Sequence, residues 1–223
     1  MKIRIIATFI FLCFSIVTST DTLTTSNSLT INQTLISSAG KFEFGFFSGV
    51  NPSKYYIGLW YKDIPSEDII VWVGNRGSPL LTNSSFLKLG NDSTLSLFDD
   101  NSQIVWQTNN SNPNSDLSFV LQLLDSGNLV SREEGDSNLS HFIWQSFDNP
   151  TDTLIPGQKI GWDLKTGSNR CLSSWLSEED PNIGNFSFSL DYHGDPEIYM
   201  RNGDKIIYRS GHGLDNGLVD CPK

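Results

Sequence analysis

The chain has 223 residues, with 15 Lys and Arg against 25 Asp and Glu, a formal charge of −10, and 38% apolar and 12% aromatic residues. That acidic balance excludes a nucleic-acid binder built on clustered basic side chains and a polybasic membrane-surface protein. The apolar content suffices for one or two packed cores, which excludes disorder throughout, and three cysteines do not make a disulfide scaffold.

At the N-terminus, Lys2 and Arg4 precede an apolar run from Ile5 to Val17, and small residues Thr18, Ser19 and Thr20 lead into Asp21. This is the layout of a secretory signal over residues 1–20. The run is shorter than the roughly 20 apolar residues of a spanning helix, which favours a cleaved signal over an uncleaved anchor. With no second apolar segment of spanning length, the mature chain is expected to be secreted to the apoplast without a transmembrane segment. Cleavage removes Cys13 and leaves Cys171 and Cys221, a number compatible with one bridge whose geometry the sequence does not fix. Sequons at Asn32, Asn83, Asn91, Asn109, Asn138 and Asn185 are expected to carry N-glycans at the surface.

Beyond the signal, Ser38 to Phe47 alternates aromatic and polar residues, Asn51-Pro52 marks a turn, and Tyr55 to Tyr61 forms a second apolar strand before Ile70-Val71-Trp72. The aliphatic-aliphatic-Trp signature then recurs as Ile104-Val105-Trp106, 34 residues on, and in aromatic form as Phe142-Ile143-Trp144, 38 residues further. Upstream of these two copies lie Leu87 to Leu97 and Leu121 to Ser131, each a short strand, a tight turn of Asn, Asp, Ser and Gly, and another short strand. No stretch sustains a 3.6-residue stripe, so the mature chain is read as all-β. Three units of about 35 residues, none able to bury its own apolar face, are expected to stack about a common core. Trp72, Trp106 and Trp144 are then core residues at equivalent positions, a reading preferred to sugar-stacking platforms.

The motifs Gly40-Lys41-Phe42-Glu43-Phe44-Gly45-Phe46-Phe47, Tyr55 to Lys62, Leu123-Leu124-Asp125-Ser126-Gly127-Asn128-Leu129-Val130, Trp144 to Leu154 and Tyr208-Arg209-Ser210-Gly211 carry a family resemblance. The stretch resembles the bulb-type (monocot mannose-binding) lectin domain, and more closely the extracellular region of plant S-locus glycoproteins and S-receptor-like serine/threonine kinases. The resemblance implies a β-prism of three four-stranded units over residues 21–150, with pseudo-threefold symmetry. Residues 151–211 would open the S-locus glycoprotein region as a partial second lectin-like β domain. Family members continue to a membrane span and a kinase, whereas residues 212–223 follow neither family pattern nor strand periodicity, so a truncated secreted form is expected.

In mannose-binding relatives each unit presents Gln-x-Asp-x-Asn-x-Val-x-Tyr. Registered on Asn128-Leu129-Val130, the third unit offers Leu124, Ser126, Asn128, Val130 and Arg132, with two matches. The second offers Gly90, Asp92, Thr94, Ser96 and Phe98 with one match, at Asp92, and the first offers Ser37, Ala39, Lys41, Glu43 and Gly45 with none. A sugar hydroxyl facing Leu instead of Gln loses a partner at a cost of about 1 to 3 kcal/mol. Asn128 is therefore expected to serve the turn and Val130 the core, in degenerate sites.

No catalytic, metal or cofactor pattern stands out. His141, His193 and His212 lack metal-ligand spacing, and the Glu178-Glu179-Asp180 run beside Pro181 reads as an acidic loop. Nucleophile elbows, dinucleotide fingerprints and kinase signatures are missing from the sequence. The expectation is a non-enzymatic recognition module for self-recognition or defence, with an extracellular protein, peptide or glycan ligand and a receptor-like kinase as candidate partner, the alternative being a working mannose lectin.

Overall fold

Leu23, Leu29 and Leu35 recur every six residues, each next to Thr or Ser, and this beat builds three very short strands with a single buried residue apiece. In the computed structural model, residues 20–49, 53–64, 69–110, 117–136, 138, 141–192 and 196–211 are described. The three strands are β1 (Thr22–Thr24), β2 (Ser28–Thr30) and β3 (Thr34–Ile36). After them come β4 (Phe42–Ser48), β5 (Tyr55–Tyr61) and β6 (Ile70–Val73), then β7 (Phe86–Leu89), β8 (Leu95–Phe98) and β9 (Ile104–Gln107), then β10 (Phe119–Leu123), β11 (Leu129–Glu133) and β12 (Trp144–Gln145).

These twelve strands form three antiparallel four-stranded sheets, ordered β3-β4-β5-β6, β2-β7-β8-β9 and β1-β10-β11-β12. The all-β prism of three four-stranded units is thus the observed architecture. Each sequence repeat supplies three strands of its sheet. The fourth comes from the N-terminal segment, dealt out in reverse, so that β1 closes the third sheet and β3 the first.

The period of two sends one side of each strand inward: Leu87 and Leu89 are fully buried while Lys88 between them is exposed. Leu35, Phe44, Leu59, Leu97, Leu121 and Leu129 meet them in one apolar cluster. Burying each such side chain stabilises the fold by about 1.5 to 3 kcal/mol relative to exposure. At one end the Trp72 ring lies edge-on to Trp106 and Trp144, at centroid distances of 6.2 and 6.1 Å. The three are not equivalent in burial. Trp72 and Trp144 are buried, whereas Trp106 is only partly so.

The chain leaves β12 through a single 3-10 turn, Ser146–Asp148, and returns Ile155 to the core. There Gly127 has φ +81°, and a β-carbon on it would stand 2.8 Å from Phe42 and 2.9 Å from Ile155. Only glycine fits both the left-handed backbone and the space.

The second region opens with a hairpin of β13 (Gly161–Asp163) and β14 (Ser168–Arg170). One antiparallel sheet follows, from β15 (Leu172–Ser177), β16 (Asp180–Asp191), β17 (Glu197–Asn202) and β18 (Lys205–Arg209), in that order. Its register pairs Leu172 with Phe188, Phe188 with Met200, and Met200 with Tyr208, which lines up an apolar face. Ser187, Ser189, Tyr199 and Arg201 take the other side. The leader at residues 1–19, the Asn51-Pro52 turn, His193, and residues 212–223 with His212 and Cys221 lie outside the described residues.

One buried cation joins the two regions. The Arg76 guanidinium donates to the carbonyls of Pro181 at 2.5 Å, Ser173 at 3.0 Å and Ser174 at 2.7 Å. Burial pulls its pKa below the usual arginine range, while the field of Asp152 opposes that shift. Beside it, the Ser173 N–H donates to the Thr151 carbonyl at 2.7 Å and the Trp175 indole to Asp152 at 2.9 Å.

Candidate functional site

Strand register puts the three repeats on one scale. Trp72 lies opposite Leu59, Trp106 opposite Leu97 and Trp144 opposite Ser131. Three residues before those partners stand Tyr56, Thr94 and Asn128, so β5, β8 and β11 are equivalent. The first-unit positions inferred from sequence, Ser37, Ala39, Lys41, Glu43 and Gly45, fall on β4 and the loop before it and are corrected. The equivalent positions are 52, Lys54, Tyr56, Gly58 and Trp60, of which the first lies outside the described residues. The aromatic run of β4 mimics the β5 pattern, and only the pairing separates them.

In the third unit Asn128 is 4% exposed and its carboxamide is spoken for. Its nitrogen donates to Gln145 Oε1 at 2.8 Å, and its oxygen accepts from Ser146 Oγ and the Phe147 N–H, both at 3.2 Å. Gln145 passes the chain on to Asp148 at 2.9 Å, and Asp148 pairs with Arg170 at 2.6 Å. Val130 has no exposed surface. Where the motif has Tyr, Arg132 donates to Gln122 at 3.1 Å, and Gln122 in turn donates to Asp21 at 2.9 Å. A sugar arriving here meets a buried amide already held at both its nitrogen and its oxygen, and a guanidinium already oriented.

The second unit spends its polar groups in the same way. Asp92 accepts from the Thr94 N–H at 3.0 Å, closing an Asx turn. Ser93 occupies the place of Gly127 at φ +62°, and its hydroxyl donates to Ser131 Oγ at 3.0 Å in the interior. In the first unit Tyr56 is 1% exposed, Gly58 carries no side chain, the Trp60 indole donates to Glu43 at 3.3 Å and Lys54 stands 4.0 Å from Asp180.

The profile of the D-mannose binding lectin family matches residues 69–176, from β6 into β15. An S-locus-specific glycoprotein of Brassica oleracea var. alboglabra is 41% identical over 217 residues, covering 96% of this chain and 49% of that protein. A receptor-like serine/threonine-protein kinase of Arabidopsis thaliana is 46% identical over 195 residues, covering 86% of this chain and 23% of that protein. The chain carries a bulb-type lectin domain of the S-locus glycoprotein family. It spans about half the length of its glycoprotein relative and about a quarter of its kinase relative. A solved monomeric mannose-binding lectin from Gastrodia elata is 20% identical, with a TM-score of 0.42 over 57% of this chain and 96% of that one.

A marked hollow of this lectin module lies away from the repeat positions. A cavity of about 540 Å³ opens between the tryptophan end of the prism and the second region, lined by Trp72, Trp106, Trp144, Asn109, Asn169 and Cys171 among others. No local sequence motif announces it, because its walls come from segments up to about 110 residues apart that meet where the second region packs on the prism. Cys171 is part-buried and unbridged among the described residues. The six sequon asparagines, Asn32, Asn83, Asn91, Asn109, Asn138 and Asn185, are all exposed. Among the described residues, no helix is long and apolar enough to cross a membrane.

Proposed function

We propose that this chain is an extracellular, non-enzymatic recognition module whose repeat positions do not hold mannose. The reading takes residues 1–20 as a removed signal, 21–150 as the lectin domain and 151–211 as a partial second lectin-like domain. Its partner would be an extracellular protein, peptide or non-mannose glycan, with a receptor-like kinase as co-receptor, in self-recognition or defence. The carrying observation is Asn128, one of the two motif positions kept in the third unit, which is 4% exposed, donates to Gln145 and accepts from Ser146 and Phe147 inside the fold. The exposure of every sequon asparagine supports glycosylation along the secretory route, and Cys171 is open to a bridge with Cys221 there.

Calorimetric titration with mannose and oligomannose is the test. The unmodified chain is expected to give no heat at millimolar sugar, whereas Leu124→Gln, Ser126→Asp and Arg132→Tyr together should restore weak binding in the third unit. Millimolar or tighter binding by the unmodified chain would make it a working mannose lectin instead.

A further inference from the structure

The cavity at the tryptophan end is built differently from the closed repeat positions, none of which lines it. Its volume of about 540 Å³ falls among small-molecule sites, which run from roughly 300 to 1,000 Å³. Its charged side chains already have partners. Arg76 is committed to three carbonyls, and Asp148 is ion-paired to Arg170, which also reaches Asp163 at 3.5 Å. An ionic ligand would have to displace those contacts and would lose its own hydration on entry.

The neutral groups are the uncommitted ones. Among the described residues, the carboxamide of Asn169, and that of Asn109 when its sequon carries no glycan, make no hydrogen bond, and the indole N–H groups of Trp106 and Trp144 have no acceptor, whereas that of Trp72 donates to the Asn149 carbonyl at 2.8 Å. Trp106, the one part-exposed member of the tryptophan trio, adds a flat apolar wall. Amide donors and acceptors beside an indole face suit a ring that is hydroxylated on its edges and apolar on its faces. We propose that this cavity binds a short neutral saccharide, at a site separate from the three repeat positions. The sugar-stacking role set aside for three tryptophans returns for Trp106 alone.

The test uses the secreted chain with Ser111→Ala, which removes the sequon at Asn109 while keeping Asn109 itself. Tryptophan fluorescence and calorimetry follow titration with cellotriose, chitotriose and, as the charged probe, trigalacturonate. At least one neutral trisaccharide should saturate with a Kd of millimolar or tighter, and trigalacturonate should not bind. Asn169→Ala, in an exposed hairpin, and Trp106→Phe, which keeps the packing but drops the indole N–H, should each weaken binding about tenfold. The triple change at Leu124, Ser126 and Arg132 should leave this affinity as it was, which separates this site from the mannose question. The proposal is overturned by no response to any neutral trisaccharide up to about 10 mM, by affinity indifferent to both Asn169→Ala and Trp106→Phe, or by preference for trigalacturonate.

Discussion

The prism and the sheet that follows it are made of similar strands, yet they handle apolar surface in opposite ways. In the prism three sheets face one another, and Leu87, Leu97, Leu121 and Leu129 are fully buried. In β15–β18, among the described residues, no second sheet faces the single one, and Ile183, Phe186 and Ile206 are 65%, 47% and 46% exposed. A strand with the right alternation is therefore not enough for a core. Burial arises when a sheet finds a second layer, and only the repeats near the N-terminus bring theirs with them.

The comparison breaks most visibly at the tryptophan end. Trp72→Ala removes the ring that touches Phe44, Trp106 and Trp144 and should cost about 3 to 5 kcal/mol through the hole it leaves, read from denaturant unfolding. A loss below about 1 kcal/mol would mean that the three sheets do not share one core. An intermediate effect is expected at the join. Arg76→Gln strands the carbonyls of Ser173, Ser174 and Pro181 and should destabilise by about 1 to 3 kcal/mol. Hydrogen exchange should then quicken across residues 172–191 while β7 and β8 keep their protection, and uniform loosening of both regions would contradict a localised clamp. The smallest effect belongs to the open sheet, where Phe186→Ser should change stability by no more than about 0.5 kcal/mol. A cost above about 2 kcal/mol would show that this face is covered in solution.

How much of this was legible before the strands were paired depends on how local each signal is. The Trp72, Trp106 and Trp144 signatures announce the repeat because each marks the closing strand of a sheet, and the alternation around Leu87 and Leu95 gives the strand type. By contrast β1, β2 and β3 are too short to show a period, although the six-residue recurrence of Leu23, Leu29 and Leu35 was there to be read. The register of the first unit misled because β4 and β5 are both aromatic, and only the pairing of Leu59 with Trp72 decides between them. At the candidate sites, the mismatches at Leu124 and Arg132 were visible in one dimension. That Asn128 is bound by Gln145, Ser146 and Phe147, and that a cavity opens beside Trp106, are properties of packed neighbours far along the chain.

The reverse dealing of the first three strands has a consequence for the order of events during synthesis. Thr22–Thr24, the earliest of the described strands to emerge, pairs with Val120 to Gln122 in the last of the three sheets to be completed. The prism is therefore clasped by its own beginning, and about 100 residues must be made before the clasp can shut. β3 meets its partner once β4 is made and β2 once β7 is, but until β10 emerges β1 is an unpaired ribbon, the condition in which strand edges are most open to wrong partners.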